Sequence, residues 1–277
     1  MPPKSYSLIG KGNILSSWVV KRSFLKKITK GGTIANCQQS IDGDIDQPEP
    51  RWLILSQILQ NLPGKGIASF SGNINGKDVV VKAQTLDEAK HEYDFVDILK
   101  DIPGFIQYEC FFTCEGNKET IEKFATVTEK TKLCTQKGTG MGVIVMPYYK
   151  QGSLELYLRQ NTKSKEAVKQ ILIAVIKNLY TAYARVKFTH GDCFAKNIVL
   201  SDALEPIIID FERSQISGSK VQFWRDIDSL FGDIARYILP ELNDISRVLF
   251  VHLAYGTEPN DQNIHDICEK ISRVQTM

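Results

Sequence analysis

Three polar residues in the second half of the chain have the types and the spacing to handle phosphate. Asp192 and Asn197 stand five positions apart on the stretch His190-Gly-Asp-Cys-Phe-Ala-Lys-Asn197, and Asp210 follows the apolar run Ile207-Ile-Ile209. The runs Ile198–Leu200 and Ile207–Ile209 read as two short strands bridged by a turn around Asp202, a hairpin that would bring the three side chains together. Two carboxylates and an amide supply hard oxygen ligands, as one or two Mg2+ ions holding a nucleotide's phosphates require. Taken singly, each residue reads as a turn or capping group. Together they favour phosphate chemistry.

The first half of the chain carries a charge pair with a physical reason to be buried. Asn75-Gly76, a dipeptide that supplies two positive-φ positions, separates Ile67–Ile74 from Asp78–Ala83 and predicts a tight hairpin. Lys82 ends the second strand, where a lone cation is costly unless paired. Beyond it Ala89, Glu92, Phe95, Val96 and Leu99 recur at helical spacing, and the pattern stops before Pro103. That stripe turns Glu92 inward, and a buried Lys82–Glu92 ion pair satisfies both residues.

Around these residues the periodicities define two halves. A further strand pair is expected over Phe105–Thr113 and Lys123–Thr131, and Val143–Met146 reads as a buried strand ending at Pro147. From Lys165 to Lys187 the apolar positions give one long amphipathic helix that runs into His190. Ile227, Leu230, Phe231, Ile234 and Ile238 form another helical stripe, with further helices expected over Leu242–Tyr255 and Asn263–Val274. A strand-rich half with one main helix therefore precedes a helical half, joined near Pro147 to Gly152. The fold class is α+β in two lobes.

His190-Gly-Asp192 with Asn197 resembles the H-G-D-x-x-x-x-N form of the kinase catalytic loop, and Asp210-Phe-Glu212 resembles D-F-G with Glu in the last place. Val79-Val-Val-Lys82 is similar to the V-A-I-K strand, and Glu92 falls where the first long helix supplies that lysine's partner. The chain thus resembles the protein kinase-like superfamily over roughly Leu62–Leu239, in the atypical H-G-D form shared by RIO kinases, other small atypical protein kinases and aminoglycoside- or choline-type phosphotransferases. The resemblance implies a bilobal kinase-like fold, with an antiparallel-sheet N-lobe holding one main helix and a compact, mainly helical C-lobe. It implies ATP and Mg2+ as cofactors, Asp192, Lys82 and Glu92 as the catalytic set, and Asn197 and Asp210 as metal ligands. Lys82 would hold the α- and β-phosphates, Met146 would lie behind the adenine, and the Tyr149 N–H would meet its polar edge, since Pro147 has no amide hydrogen. For the phosphate-gripping turn, Gly64 and Gly66 are preferred to Gly10 and Gly12 because they abut the hairpin that ends in Lys82. His190 is expected to brace the loop, and Lys196 to point to solvent.

Two departures bear on the acceptor. No A-P-E occurs in the sixteen positions from Asp210 to Asp226, and Gly191 stands where many protein kinases have an arginine that reads a phosphorylated segment. Activation by phosphorylation of that segment is therefore not expected. The preferred reading is an atypical protein serine/threonine kinase. The runner-up is a small-molecule kinase of the aminoglycoside or choline type, and the third is a pseudokinase that binds partners.

Composition narrows the rest. The 277 residues are 43% hydrophobic and 24% charged, without an apolar run of membrane-spanning length, and 34 basic residues face 32 acidic ones. So even a balance gives no signal of nucleic-acid binding, and the expected partners are a nucleotide and a protein or small hydroxyl-bearing acceptor. Six cysteines without a C-x-x-C pair, and four scattered histidines, suggest neither a zinc site nor a disulfide framework. Reduced thiols and a cytoplasmic location follow as expectations. Residues 1–50, basic at the start and then acidic around Pro48 and Pro50, read as an N-terminal extension and linker. The N-lobe is then assigned to 51–149 and the C-lobe to 150–277.

Overall fold

Asn75 and Gly76 both adopt positive φ, 51° and 84°, and the Gly76 N–H is caught by Asn73 Oδ1 at 2.7 Å. The turn they make joins β2, Ile67–Ile74, to β3, Lys77–Thr85, as the sequence predicts. The computed structural model describes residues 37–62, 66–123, 132–160, 164–235 and 243–274. Around the hairpin, β1 (Leu53–Leu62), β4 (Cys110–Cys114) and β5 (Met141–Pro147) complete an antiparallel five-stranded sheet in the order β1-β2-β3-β5-β4. Register follows from apolar alternation: Val79, Val81 and Ala83 are fully buried, and Lys82 pairs with Ser69 on one side and Ile144 on the other.

The helix that crosses this sheet begins where Glu88 accepts hydrogen bonds from the Thr85 N–H and hydroxyl. It runs Leu86–Leu99 and buries Ala89, Glu92, Phe95, Val96 and Leu99, the predicted stripe. A side chain at Gly142 on β5 would come within 2.4 Å of Ala89 Cβ, so two small residues let helix and sheet approach closely. After the helix, Phe105 bridges to Ile208, and Ile106 N–H donates to the Ile208 carbonyl, stitching the first lobe to the second.

In the second lobe the long helix Lys165–Val186 starts on Ser164, whose Oγ accepts from Ala167 N–H, and ends at Lys187 in the left-handed region. Lys220–Ala235 buries Ile227, Leu230, Phe231 and Ile234 completely, while Ile238 of that stripe lies outside the described residues. Helices Asn243–Tyr255 and Asp261–Arg273 pack behind them, the latter capped reciprocally by Asn260 and Asn263. The hairpin Ile198–Leu200 with Pro206–Ile208 lies between the lobes' contact strand and this helical core. The fold is α+β, an antiparallel sheet preceding helices, in agreement with a kinase-like bilobal fold.

Three expectations change. Residues Cys37–Ile45, read as part of a linker, form a helix. Its Asp44 is buried and accepts the Arg51 and Trp52 N–H groups, and Lys132 Nζ donates to the carbonyls of Asp44, Ile45 and Gln47 at its end. Acids that look solvated in sequence here satisfy backbone donors. The expected strand partner at Lys123–Thr131 is not found at its start, since Lys123 ends a short helix, Lys118–Lys123, and 124–131 lie outside the described residues; β4 pairs instead with β5.

The third correction concerns the thiols. Cys37 is bonded to Cys110 and Cys114 to Cys134, leaving Cys193 and Cys268 free and buried. Pairings between segments 73 and 20 residues apart cannot be read from spacing, because the fold alone makes them neighbours. The bridges remove the ground on which a cytoplasmic location was expected. Among the described residues, no helix is long and apolar enough to cross a membrane.

Candidate active site

The first-lobe half of the site is a saturated carboxylate. Lys82 Nζ lies 2.7 Å from Glu92 Oε2, and Gln84 Nε2 reaches the same oxygen at 3.0 Å. Tyr108 donates its hydroxyl to Oε1 at 2.7 Å. Lys82 also reaches across the lobes to Asp210 Oδ1 at 2.9 Å. Burial alone would lower the lysine's pKa, but the charges of Glu92 and Asp210 outweigh it and hold the ammonium well above its ordinary value. For Asp210 burial again acts against ionisation, and Lys82 overrides it, keeping the carboxyl below its usual range. Burial and the Glu92 charge push the Tyr108 phenol well up, so it stays a neutral donor.

The second-lobe half hangs on a buried aspartate. Asp226, inside the helix Lys220–Ala235, accepts the His190 N–H at 2.6 Å and the Gly191 N–H at 2.8 Å. Burial raises its pKa, opposed by His190 and those two hydrogen bonds. His190 Nδ1 accepts from the Asp192 N–H, so Nε2 carries the hydrogen that goes to the Ile209 carbonyl, bracing the loop against the strand before Asp210. Asn197 Nδ2 donates to both the backbone oxygen and Oδ2 of Asp192, which leaves its own carbonyl oxygen Oδ1 for a cation. Asp210 sits at φ 68°, a conformation that Asp tolerates better than most residues and that recurs at functional sites. Phe211 beside it is fully buried against Phe95, Phe105 and Phe188.

Two cations flank Asp192: Lys196 Nζ at 3.1 Å from Oδ2 and Arg213 Nη1 at 3.7 Å from Oδ1. Gly191 has φ 76°, and a Cβ there would stand 2.5 Å from the Arg213 carbonyl oxygen. The tight passage of the following segment thus explains why no arginine occupies this position. Among the described residues, no three His, Cys, Asp or Glu side chains gather closely enough to hold a metal by themselves. That donor set fits Mg2+ all the same, since this ion takes one or two protein oxygens and completes its shell with phosphate and water.

Residues 130–241 match the RIO domain family. The matched stretch holds β5, the His190–Asn197 loop, Asp210 and Asp226, and it confirms the resemblance to RIO-type members of the atypical kinase-like superfamily. At the coarse level the match indicates a kinase-like phosphotransferase. No curated protein matches the chain significantly. Lys82 and Glu92 lie before the matched stretch and are tied to it by the pairing of β3 with β5 and by the Lys82–Asp210 contact.

The structure joins Lys82, Glu92 and Asp210 in one set of ion pairs and Asp192 with Asn197 in another, the two linked where the Ile209 N–H donates to the Asn197 carbonyl. Met146 is buried on β5 opposite Val80, and the Tyr149 N–H meets no acceptor among the described residues, while Tyr148 N–H is taken by the Asp78 carbonyl. Gly66 opens β2 against the Lys118 side chain, and Gly64 lies outside the described residues. Lys196, expected to face solvent, is 55% exposed yet paired with Asp192. Tyr108 and Gln84 were not foreseen. Neither has a motif; only the demand that a buried Glu92 be fully hydrogen-bonded could have prompted a search for them.

Proposed function

We propose that the protein is an ATP- and Mg2+-dependent phosphotransferase that moves the γ-phosphoryl group to a hydroxyl, most plainly that of a protein serine or threonine. One observation carries this reading: the Lys82 ammonium is shared between Glu92 of the first lobe and Asp210 of the second, beside a loop that presents Asp192 and Asn197. In this assignment Lys82 binds the α- and β-phosphates, Glu92 orients it, and Asp192 accepts the proton of the attacking hydroxyl. Asn197 Oδ1 and Asp210 would hold Mg2+, which when bound neutralises charge on the phosphates. Met146 and the Tyr149 N–H would receive the adenine, and Gly64 with Gly66 the phosphate turn.

The acceptor is inferred from resemblance: the Lys82 strand, the Glu92 helix and the D-F-E turn are more similar to those of protein kinases than to those of small-molecule phosphotransferases. A small-molecule acceptor is the second reading, favoured by the H-G-D loop and by the short segment of sixteen positions from Asp210 to Asp226. Incubating the protein with γ-labelled ATP and Mg2+ and a protein acceptor, a panel of small alcohols, or neither separates these readings. Label transferred to serine or threonine supports the first, label on an alcohol supports the second, and nucleotide binding without any turnover defeats both.

A further inference from the structure

The two carboxylate oxygens of Asp192 are unequal. Oδ2 accepts from Asn197 Nδ2 at 2.9 Å and pairs with Lys196 Nζ at 3.1 Å, whereas no donor among the described residues hydrogen-bonds Oδ1. Oδ1 is therefore the oxygen left to receive a proton, and the acceptor hydroxyl must arrive on its side. Arg213 stands on that side, with Nη1 3.7 Å from Oδ1, too far for a hydrogen bond. Its side chain is 63% exposed, and its guanidinium is hydrogen-bonded to nothing among the described residues. The backbone that carries it is fixed: the Ser214 N–H donates to the Phe211 carbonyl, Ser214 Oγ donates to the His190 carbonyl, and Thr189 and Gln215 exchange N–H···O bonds just beyond. Gly191 permits this close passage, since a Cβ there would stand 3.2 Å from Arg213 Cβ as well as 2.5 Å from its carbonyl oxygen. The other flank of Asp192 has the opposite character, because Lys196 shares an open cavity with Phe194 and two acids, Glu155 and Asp233.

A planar fork of N–H donors without a partner, borne on a fixed backbone, is suited to grip a carboxylate or phosphate through two parallel hydrogen bonds. We infer that Arg213 is a specificity-determining residue, its guanidinium binding an anionic group of the acceptor close to the reacting hydroxyl. The acceptor class that follows is a serine or threonine with an acidic neighbour. Aspartate, glutamate and a phosphorylated side chain all offer the required chemistry. An anion brought to this rim meets the negative charges of Asp192 and Asp210, and Arg213 is placed to offset them at the point of entry. This inference rests on the protein-acceptor reading above.

Serine and threonine peptides that differ only in the flanking residues, which are aspartate, phosphoserine, alanine or lysine, test it with γ-labelled ATP and Mg2+ in the parent, Arg213→Gln and Arg213→Glu. The parent should favour an acidic set over the alanine set by about tenfold in kcat/KM, chiefly through the KM for peptide. Whichever of aspartate and phosphoserine gains more identifies the anion. Arg213→Gln should level the preference with little change in the KM for ATP, and Arg213→Glu should turn it toward the lysine peptides. A parent indifferent to flanking acids overturns the proposal, as does an Arg213→Gln protein that slows every peptide by the same factor, the mark of a cation that merely adjusts Asp192. A parent that binds ATP and labels none of the peptides defeats the protein-acceptor reading itself, and this inference with it.

Discussion

Tyr108 and Lys82 bind opposite oxygens of the same buried carboxylate, that of Glu92, each at 2.7 Å. The phenol therefore fixes the rotation of the group that positions the lysine. Tyr108→Phe removes a donor from a buried charged acceptor, which costs about 1–3 kcal/mol. Urea denaturation is expected to register that loss, with turnover reduced and the KM for ATP raised. A variant of parental stability would mean that water replaces the phenol and that Glu92 needs no such support.

The charges of Lys82, Glu92 and Asp210 make a prediction about pH. Asp210 has its carboxyl lowered in the folded state, so its contribution to stability is present above the unfolded pKa of about 4 and is lost as the pH falls through the folded value. Lys82 has its pKa raised, so its contribution is complete below about 10.5 and lost as the pH rises from there through the higher folded value. In Lys82→Met, Asp210 loses the charge that outweighs its burial and keeps only the pull of His190 and Lys196, so the variant has less stability to lose on acidification. The difference in urea midpoint between parent and variant is thus expected to shrink as the pH falls below about 4, a comparison in which the raised pKa of Asp226 cancels. A constant difference across that range would separate Lys82 from Asp210.

How these residues became legible differs from one to the next. Glu92 could be placed because a helix has one inward face, and four apolar neighbours marked it. Asn75-Gly76 fixed a register because few other dipeptides take two positive φ angles. Tyr108 and Gln84 could not be found in this way, since what selects them is the third dimension: the segment leading into β4, brought up to the helix, and the geometry of a carboxylate already in position. The helix Cys37–Ile45 was hidden for the same reason. Gln38 bonds the Thr113 N–H and carbonyl at 2.9 Å, standing in for a strand along the edge of β4, a partnership 75 residues distant.

Asp192 and Asp210 should fail differently when neutralised. Asp192→Asn keeps the hydrogen bonds of the loop but cannot take a proton, so nucleotide affinity should hold while turnover falls roughly a hundredfold or more. Asp210→Asn should weaken nucleotide binding in Mg2+ much more than in EDTA. Titrating both variants with ATP under the two conditions decides the matter, and equal, mild losses in the pair would sink the assignment of base and metal ligand.

Gly191 tests whether its position is set by packing. Gly191→Ala forces a Cβ to within 2.5 Å of the Arg213 carbonyl oxygen at φ 76°, where an L-residue is itself strained. A loss of roughly 1–3 kcal/mol is expected by thermal or chemical denaturation. Since the same contact occupies the place of a phosphate-reading arginine, phosphatase treatment of the parent should leave its activity unchanged. A large gain on phosphorylation of the 210–226 segment would contradict that.

The disulfides carry the last prediction. Cys37–Cys110 ties the helix Cys37–Ile45 to β4, only two residues from Tyr108, and Cys114–Cys134 closes the connection that returns to β5. Cross-links across loops of 73 and 20 residues restrict the unfolded chain enough to stabilise the fold by about 3–4 kcal/mol each in the chain-entropy picture. Alkylation under native, non-reducing conditions should therefore leave four cysteines unmodified as two bridges, and Cys193 and Cys268 should react only on unfolding, because both are buried. Reductant should then lower the melting temperature, and lower it less in Cys37→Ser/Cys110→Ser, which has one bridge left to lose. If all six thiols alkylate in the unfolded, unreduced protein, the bridges are absent in solution and the cytoplasmic expectation regains its ground.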